Sequence, residues 1–345
     1  MSLFDRFTLS SRAFLKSALV VVALAGLASG LTGCNRLFSS GVARDDLSLV
    51  PGDTAAVFLV NLKQARGSRL WQKLIEARDK EPASRKDYQD FVQKCGLDPL
   101  NDLESIFLAV PANAQQSRDY ALLIRGRYKA DGILNCARSS AKERGELLSE
   151  SDYNNIHIVS SSSQTQGPQL AVLGSRAIVV ASPGWMKRVI DFHSGKEAVA
   201  SSARENKTLR TMLGRTNTSG AFWFAGEVPP AMADRLRAWP QLGSAGSLHS
   251  VSGSIEVKQG LSVHSDLDLG SDADATSVST SVASMLSNLR QDSRLQMMGM
   301  AGYLDTIKVG ANKSTFVIDL KMTDQQLDDL TTRLAGLSKS LTMGM

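Results

Sequence analysis

Short apolar runs alternate with helical patterns from residue 55 to residue 334, and this alternation constrains the fold more than any other feature. Runs such as residues 55–62 (AAVFLVNL) have the length of a buried strand. Between the runs, apolar residues such as Leu70, Leu74 and Ile75 recur at helical spacing. Several strand pairs are joined by short turns, which require antiparallel pairing. The pattern therefore predicts an α+β fold with antiparallel sheets.

The two halves of this pattern have the same order: strand, helix, two strands, helix, strand pair, helix. We predict two similar units, residues 49–197 and 198–342, each an antiparallel sheet with helices packed on one face, and an internal duplication as their origin. A single irregular α+β domain would contain the same elements without the symmetry. In residues 250–258, apolar side chains alternate with serines, which predicts a polar, solvated second sheet face.

The first 33 residues are typical of an export signal. Arg6, Arg12 and Lys16 precede 17 uncharged residues, from Ser17 to Gly33. A transmembrane helix needs about 20 apolar residues, so a retained membrane anchor is the less favoured alternative. We therefore predict that residues 1–33 are removed as a signal peptide.

Leu31, Thr32, Gly33 and Cys34 end this stretch, and the tetrad resembles the lipobox of bacterial lipoproteins. The resemblance implies cleavage after Gly33 and acylation of the Cys34 thiol, so that Cys34 becomes the first residue of a membrane-anchored chain. Asn35 follows, and in enterobacterial lipoproteins the absence of an aspartate there favours the outer membrane over the inner membrane. These features predict a lipoprotein of the bacterial cell envelope whose body lies in the periplasm.

The mature chain carries little net charge. The sequence has 39 Lys and Arg against 34 Asp and Glu, and removal of the signal leaves 36 against 33. No basic run remains that would indicate nucleic-acid binding. Residues 34–48 are polar and contain Ser and Gly, which predicts a short tether between the acyl chains and the first unit.

Cys95 and Cys136 are the two cysteines left after lipidation. In an oxidising compartment an even pair is compatible with one disulfide. Two buried, reduced cysteines that pack as small apolar residues are the alternative, and spacing alone does not decide between them.

Motifs for catalysis and for metal or cofactor binding are sparse. Ser139 and Lys142 fit S-x-x-K, but the K-T-G motif that accompanies it in penicillin-binding enzymes is missing. His264, Asp266 and Asp268 alternate on one face of a predicted strand, where same-face neighbours are ~6.5–7 Å apart and do not converge on one ion. We predict no metal, no cofactor and no catalytic residue, and interpret these three side chains as a solvated face.

Trp223 lies in Phe222-Trp223-Phe224, and three consecutive aromatic residues cannot all face one side of a strand. Either both sheet faces are covered there, or Trp223 contacts a ligand or partner. Outside the signal, one short segment, Gly96-Leu97-Asp98-Pro99 with Asp102-Leu103, resembles uncharacterised bacterial exported proteins of α+β layout. This resemblance implies no activity.

These features favour a lipid-anchored envelope protein that binds or scaffolds another envelope component of unknown identity. A carrier or chaperone for a hydrophobic ligand such as lipid is the alternative, and a hydrolase is a remote one. Membrane contact is expected only through the acyl chains on Cys34, because the mature surface has no polybasic patch.

Overall fold

The structure is a computed structural model that describes residues 45–163, 167–174, 177–237 and 247–343. The predicted signal peptide, the predicted lipobox with Cys34, and the predicted tether as far as Arg44 lie outside these residues. Among the described helices, none combines the length and the apolar character that crossing a bilayer requires.

The fold is mixed α+β, and each strand pair is antiparallel, which confirms the predicted class. The strands are β1 Thr54–Asn61, β2 Leu103–Pro111, β3 Ala121–Gly126, β4 Leu148–Tyr153, β5 Ile156–Ser161, β6 Gln169–Leu173, β7 Ala177–Ala181, β8 Phe222–Glu227, β9 Ser250–Glu256, β10 Leu261–Asp268, β11 Ile307–Asn312 and β12 Thr315–Met322. The α-helices are α1 Leu62–Ala65, α2 Arg69–Lys80, α3 Pro82–Cys95, α4 Ala114–Ser117, α5 Ala130–Glu143, α6 Pro183–Ser194, α7 Lys207–Leu213, α8 Pro230–Arg237, α9 Asp272–Gln291, α10 Ser293–Met297 and α11 Asp324–Met343.

The described chain forms two compact units, and the division between them differs from the predicted one. The first unit contains residues 45–63 and Leu74–Glu227, and the second contains Gln64–Lys73 and the chain from Val228 onward. The strand order is β8-β1-β2-β3-β7-β6-β5-β4 in the first unit and β11-β12-β10-β9 in the second.

Residues 198–227 therefore belong to the first unit, not to a second unit that starts at residue 198. Strand β8 pairs with β1, with Phe224 opposite Phe58. The backbone N–H of Ala203 donates to the carbonyl of Val50 at 2.9 Å, and Leu209 on α7 is buried in the same core. These contacts join the segment to the first unit, although it follows that unit's last predicted helix in the sequence.

The core of the first unit lies on one face of its sheet, which we call the inner face. Alternate residues along each strand point to this face, and β1 contributes Val57 and Leu59, both almost fully buried. Helix α6 covers the inner face with Met186 and Ile190, which have no exposed surface. Pro183 stands in the first turn of α6, where proline is favoured because no backbone donor is needed there.

The predicted tether is too long at its carboxyl end. Asp46 and Val50 have no exposed surface and Leu47 is 2% exposed, so these residues are part of the first unit. Their burial against the inner face offsets the entropy lost on ordering them. The other residues of the predicted tether, 34–44, lie outside the described residues.

The second unit has its core on one sheet face, where Val263 and Leu320 pack with Val278 and Val282 of α9. Its opposite face is polar, as predicted, but it is not solvated throughout. Ser252 and Ser254 are 3% and 4% exposed. The alternation in residues 250–258 correctly predicts which residues lie on each face of the sheet. It does not predict how far the polar face is buried.

Candidate functional site

The face of the first sheet that points away from the core, which we call the outer face, is also apolar. The strand register places Phe58 beside Leu108 of β2 and Phe224 of β8. One step along the strands, Val60 lies beside Ile106 and Phe222. On β3, Leu122 and Ile124 extend the same two rows. None of these eight side chains carries a charge or a hydrogen-bonding group.

The aromatic side chains of this surface, Phe58, Phe222 and Phe224, are exposed or partly exposed to solvent. Phe58 is 37% exposed at the centre of its row, and Phe222 and Phe224 are partly exposed. The rings of Phe58 and Phe224 are stacked, with centroids 6.4 Å apart, and those of Phe222 and Phe224 are 5.9 Å apart. Contiguous exposed apolar surface of this kind marks an interaction site in a folded protein.

Helix α5 covers the other end of the outer face. Val159 of β5, Val172 of β6 and Ile178 of β7 lie on this face and are at most 8% exposed. Arg138 of α5 holds both carboxylate oxygens of Glu150 on β4 at 2.8 Å, and Glu150 pairs with Val159 in the same row. The outer face is therefore covered over β4 to β7. We call the remaining part, over β8, β1, β2 and β3, the open half; among the described residues, Phe58 is exposed there and the other seven members are partly exposed, namely Val60, Ile106, Leu108, Leu122, Ile124, Phe222 and Phe224.

Two contacts join α5 to α3 beside the open half. Cys95 and Cys136 form a disulfide, with Cα atoms 4.7 Å apart. The sequence alone left open whether these two cysteines are bonded or reduced. At the carboxyl ends of these helices, Lys94 Nζ lies 2.5 Å from Glu143 Oε2. Both contacts hold the helix layer in place.

Loss of the disulfide is expected to destabilise the first unit. The cysteines are 41 residues apart, and closing a loop of that length stabilises by ~3–4 kcal/mol through the unfolded chain. The Cys95→Ser/Cys136→Ser double variant should show this loss in urea unfolding. Wild-type protein treated with dithiothreitol is the matched control and should unfold at the same midpoint as the double variant. An unchanged midpoint in both samples would contradict the expectation.

Trp223 does not lie in the open half. It has no exposed surface and packs on the inner face against Phe107, with ring centroids 6.3 Å apart. The prediction that Trp223 contacts a ligand or partner is corrected on this ground. Its neighbours Phe222 and Phe224 point to the opposite face, because side chains alternate along β8, and they are the residues that sequence reasoning missed.

The polar face of the second unit carries a row of Ser254, His264 and Asp319 on three adjacent strands. His264 Nδ1 lies 2.8 Å from Asp319 Oδ1, and His264 Nε2 lies 3.5 Å from Asp266 Oδ1. Hydrogen bonding to Asp266 and Asp319 raises the pKa of His264 to about 9, although burial acts in the opposite direction. A histidine protonated at neutral pH does not accept a proton as a general base.

Within the part of the chain that the structure describes, the other residues considered for catalysis or metal binding are not grouped into a site. Ser139 and Lys142 are both exposed on α5. Within the described ranges, no three His, Cys, Asp or Glu side chains are grouped as a metal site would require. His264 and Asp266 are partly buried and paired rather than fully solvated, because Asp319 of the adjacent strand faces them.

Comparison with known proteins identifies no family. No family model matches the chain, and no curated protein matches it. A solved structure of the protein TP0453, in its crystal form III, aligns over 81% of this chain and 95% of that chain, with 11% sequence identity and a TM-score of 0.42. A likeness at this level supports neither a fold assignment nor a functional one.

Proposed function

We propose that this protein is a lipid-anchored envelope protein that binds another envelope protein through the open half, and that it has no catalytic activity. The observation that carries the proposal is the row of Phe224, Phe58 and Leu108, in which Phe58 is exposed and its two neighbours are partly exposed, in a sheet whose other face is already packed. Full burial of an exposed phenylalanine contributes ~1.5–3 kcal/mol, and because Phe58 is 37% exposed, its burial in an interface contributes the corresponding fraction of that value. Aromatic residues are also the usual energetic centres of protein interfaces.

The shape of the open half favours a protein over a small ligand. It spans four neighbouring strands, about 14 Å between the outermost strand axes at ~4.8 Å spacing. Its floor is a sheet surface, whereas small-ligand sites are concave and enclose 70–90% of their ligand, as a general rule. A broad, uncharged surface is better matched by the apolar face of another folded chain. A lipid carrier remains the alternative, and the experiment below separates the two.

The proposed anchor keeps this surface near a membrane. Residues 35–44 connect Cys34 to the first unit, and about ten residues reach at most ~35 Å. Three acyl chains hold such a body at the membrane essentially permanently. Partners in the same membrane are then met at high effective concentration, so a modest interface is sufficient. Asn35 after the acylated cysteine favours the outer membrane in this proposal.

Replacement of Phe58 and Phe224 by threonine is expected to reduce partner capture at least tenfold. Threonine suits a strand, so the variant removes apolar surface with little effect on the sheet. The measurement is crosslinking in cells followed by affinity isolation and quantitative mass spectrometry. Leu289→Gln is the matched control, because Leu289 is 39% exposed on α9 of the second unit, and it should leave capture unchanged.

Two outcomes would contradict the proposal. One is equal capture by Phe58→Thr/Phe224→Thr and wild type, which would place the interface elsewhere. The other is native mass spectrometry that finds lipid bound to wild type and absent from the double variant, which would favour the carrier. Unfolding midpoints measured for every variant separate loss of binding from loss of structure.

We also infer that the two units arose by duplication. In the first unit, β2-β3-β7-β6 are neighbours in that order, with α5 between the two hairpins in sequence. In the second, β9-β10-β12-β11 have the same order, with α9 in the same place. The helices α6 and α11 then follow the equivalent strands β7 and β12. The hairpin β4–β5 is an addition to the first unit.

A further inference from the structure

Three buried polar atoms in the first unit lack a hydrogen-bond partner. They are Asp46 Oδ2, Ser105 Oγ and Tyr128 Oη, and none of the three bonds to a residue that the structure describes. Asp46 has no exposed surface, and Ser105 is 3% exposed. Buried polar atoms of folded proteins are nearly always hydrogen-bonded, either to protein or to ordered water. Each of these atoms therefore requires a partner that the described residues do not supply.

All three side chains lie around Arg125 of β3. The Arg125 Nε donates to Asp46 Oδ1 at 2.6 Å, so Oδ2 of the same carboxylate lies beside the guanidinium. Ser105 of β2 stands directly opposite Arg125, and both alternate with core residues on the inner face. Tyr128 follows β3, and the charge of Arg125 acts on its hydroxyl. The three atoms without partners therefore belong to one small region at the end of the inner face.

The donors and acceptors of this region fit one kind of ligand. Burial raises the pKa of Tyr128 to about 12, against the opposing charge of Arg125, so the phenol keeps its proton and can donate it. The Ser105 hydroxyl donates and accepts, whereas an ionised Asp46 Oδ2 only accepts. A simple anion cannot donate to Asp46, and a metal cation would stand beside the Arg125 charge. Water both donates and accepts, and it bridges polar groups nearly as well as a direct hydrogen bond does.

We propose that Asp46, Ser105 and Tyr128 form an internal hydration site, in which ordered water donates to Asp46 Oδ2 and accepts from the Ser105 or Tyr128 hydroxyl. Buried water of this kind typically makes about three hydrogen bonds and is part of the folded structure. The site fastens residues 45–50 to β2 and β3, because Asp46 lies in that segment. It depends on neither the lipid anchor nor the open half, since the open half lies on the opposite face of the sheet.

A crystal structure of the mature chain, at a resolution that shows ordered water, tests the proposal. We expect density for water within hydrogen-bonding distance of Asp46 Oδ2 and of one or both hydroxyls. The double variant Ser105→Ala/Tyr128→Phe should lose this water, because buried water needs about three polar partners and both hydroxyls are gone. Ser202→Ala is the matched control and should keep the water. Ser202 is fully buried in the same unit, but its hydroxyl already donates to the Val199 carbonyl at 2.6 Å.

A measurement in solution makes the test independent of the crystal and of whether the double variant folds. Wild type should show water cross-peaks of opposite sign in NOE and ROE spectra at the Ser105 amide, the signature of water that stays in place, and Tyr128→Phe alone should weaken them. The Ser202 amide should show none. Three results would overturn the proposal: no water at Asp46 Oδ2 in wild type, water retained in the double variant, or equal cross-peaks at Ser105 and Ser202, which would indicate signal relayed through exchanging hydroxyls.

Discussion

Metabolic labelling with an alkyne fatty acid is expected to disappear completely when Cys34 is replaced by serine. The thiol is the acyl acceptor implied by the Leu31-Thr32-Gly33-Cys34 tetrad, and a hydroxyl at the same place is not a substrate for thioether formation. In-gel fluorescence measures the label, and mass spectrometry of the amino-terminal peptide reports the added acyl mass. The effect is all-or-none, because no other cysteine in the chain stands at a lipobox.

The Cys95→Ser/Cys136→Ser variant is the control for this experiment, since it removes the other two thiols and should keep full labelling. Membrane fractionation alone would be ambiguous, because an uncleaved signal of 17 uncharged residues retains some membrane affinity. Labelled Cys34→Ser, or unlabelled wild type with a free Cys34 thiol, would refute the lipid anchor.

Replacement of Trp223 by alanine is expected to destabilise the first unit by ~3–5 kcal/mol, the usual cost of removing a fully buried aromatic side chain. Trp223 has no exposed surface, and it packs against Phe107 at the centre of the inner face. The cavity left by the indole cannot close without moving β1 and β8. Chemical unfolding followed by circular dichroism gives the free energy of unfolding.

Trp223→Phe distinguishes packing from hydrogen bonding. The Trp223 Nε1 atom is buried and has no hydrogen-bond partner among the residues that the structure describes, so phenylalanine loses volume but none of the hydrogen bonds described. We expect it to recover most of the loss caused by alanine. Phe224→Ala, one residue along on the outer face, should cost much less than Trp223→Ala, because Phe224 is already partly exposed. Equal losses at positions 223 and 224 would mean that the open half is covered in solution.

The hairpins could be predicted because their signals are local. Gln259-Gly260 follows the alternating residues 250–258 in the sequence and connects β9 to β10, with Gly260 at φ +88°. A side chain at Gly260 would collide with the Met322 backbone, which explains the requirement for glycine. The residue types that form a turn and the alternation of apolar and polar side chains along a strand can both be recognised from residues close together in the sequence.

Strand β4, Leu148–Tyr153, could not be predicted, because its sequence LSESDY has no apolar alternation. It forms because β5 offers a partner in register, with Glu150 opposite Val159. Arg138 of α5 then pairs with the Glu150 carboxylate. Charged residues are typical of a strand at the end of a sheet, where they oppose further pairing.

The sequence by itself predicted the α+β class and the antiparallel pairing, both of which the structure confirms, and the location in the cell envelope, which stays a prediction. Each follows from neighbouring residues: apolar period, turn residues, and an apolar stretch that ends in Cys34. Only the tertiary structure decided that residues 198–227 join the first unit, that Trp223 is buried while Phe58 is exposed, and that the buried Asp46 pairs with Arg125. The physical reason is that burial depends on which helix covers which sheet face. Helix α5 covers only part of the outer face, and that coverage is a long-range contact that no local pattern records.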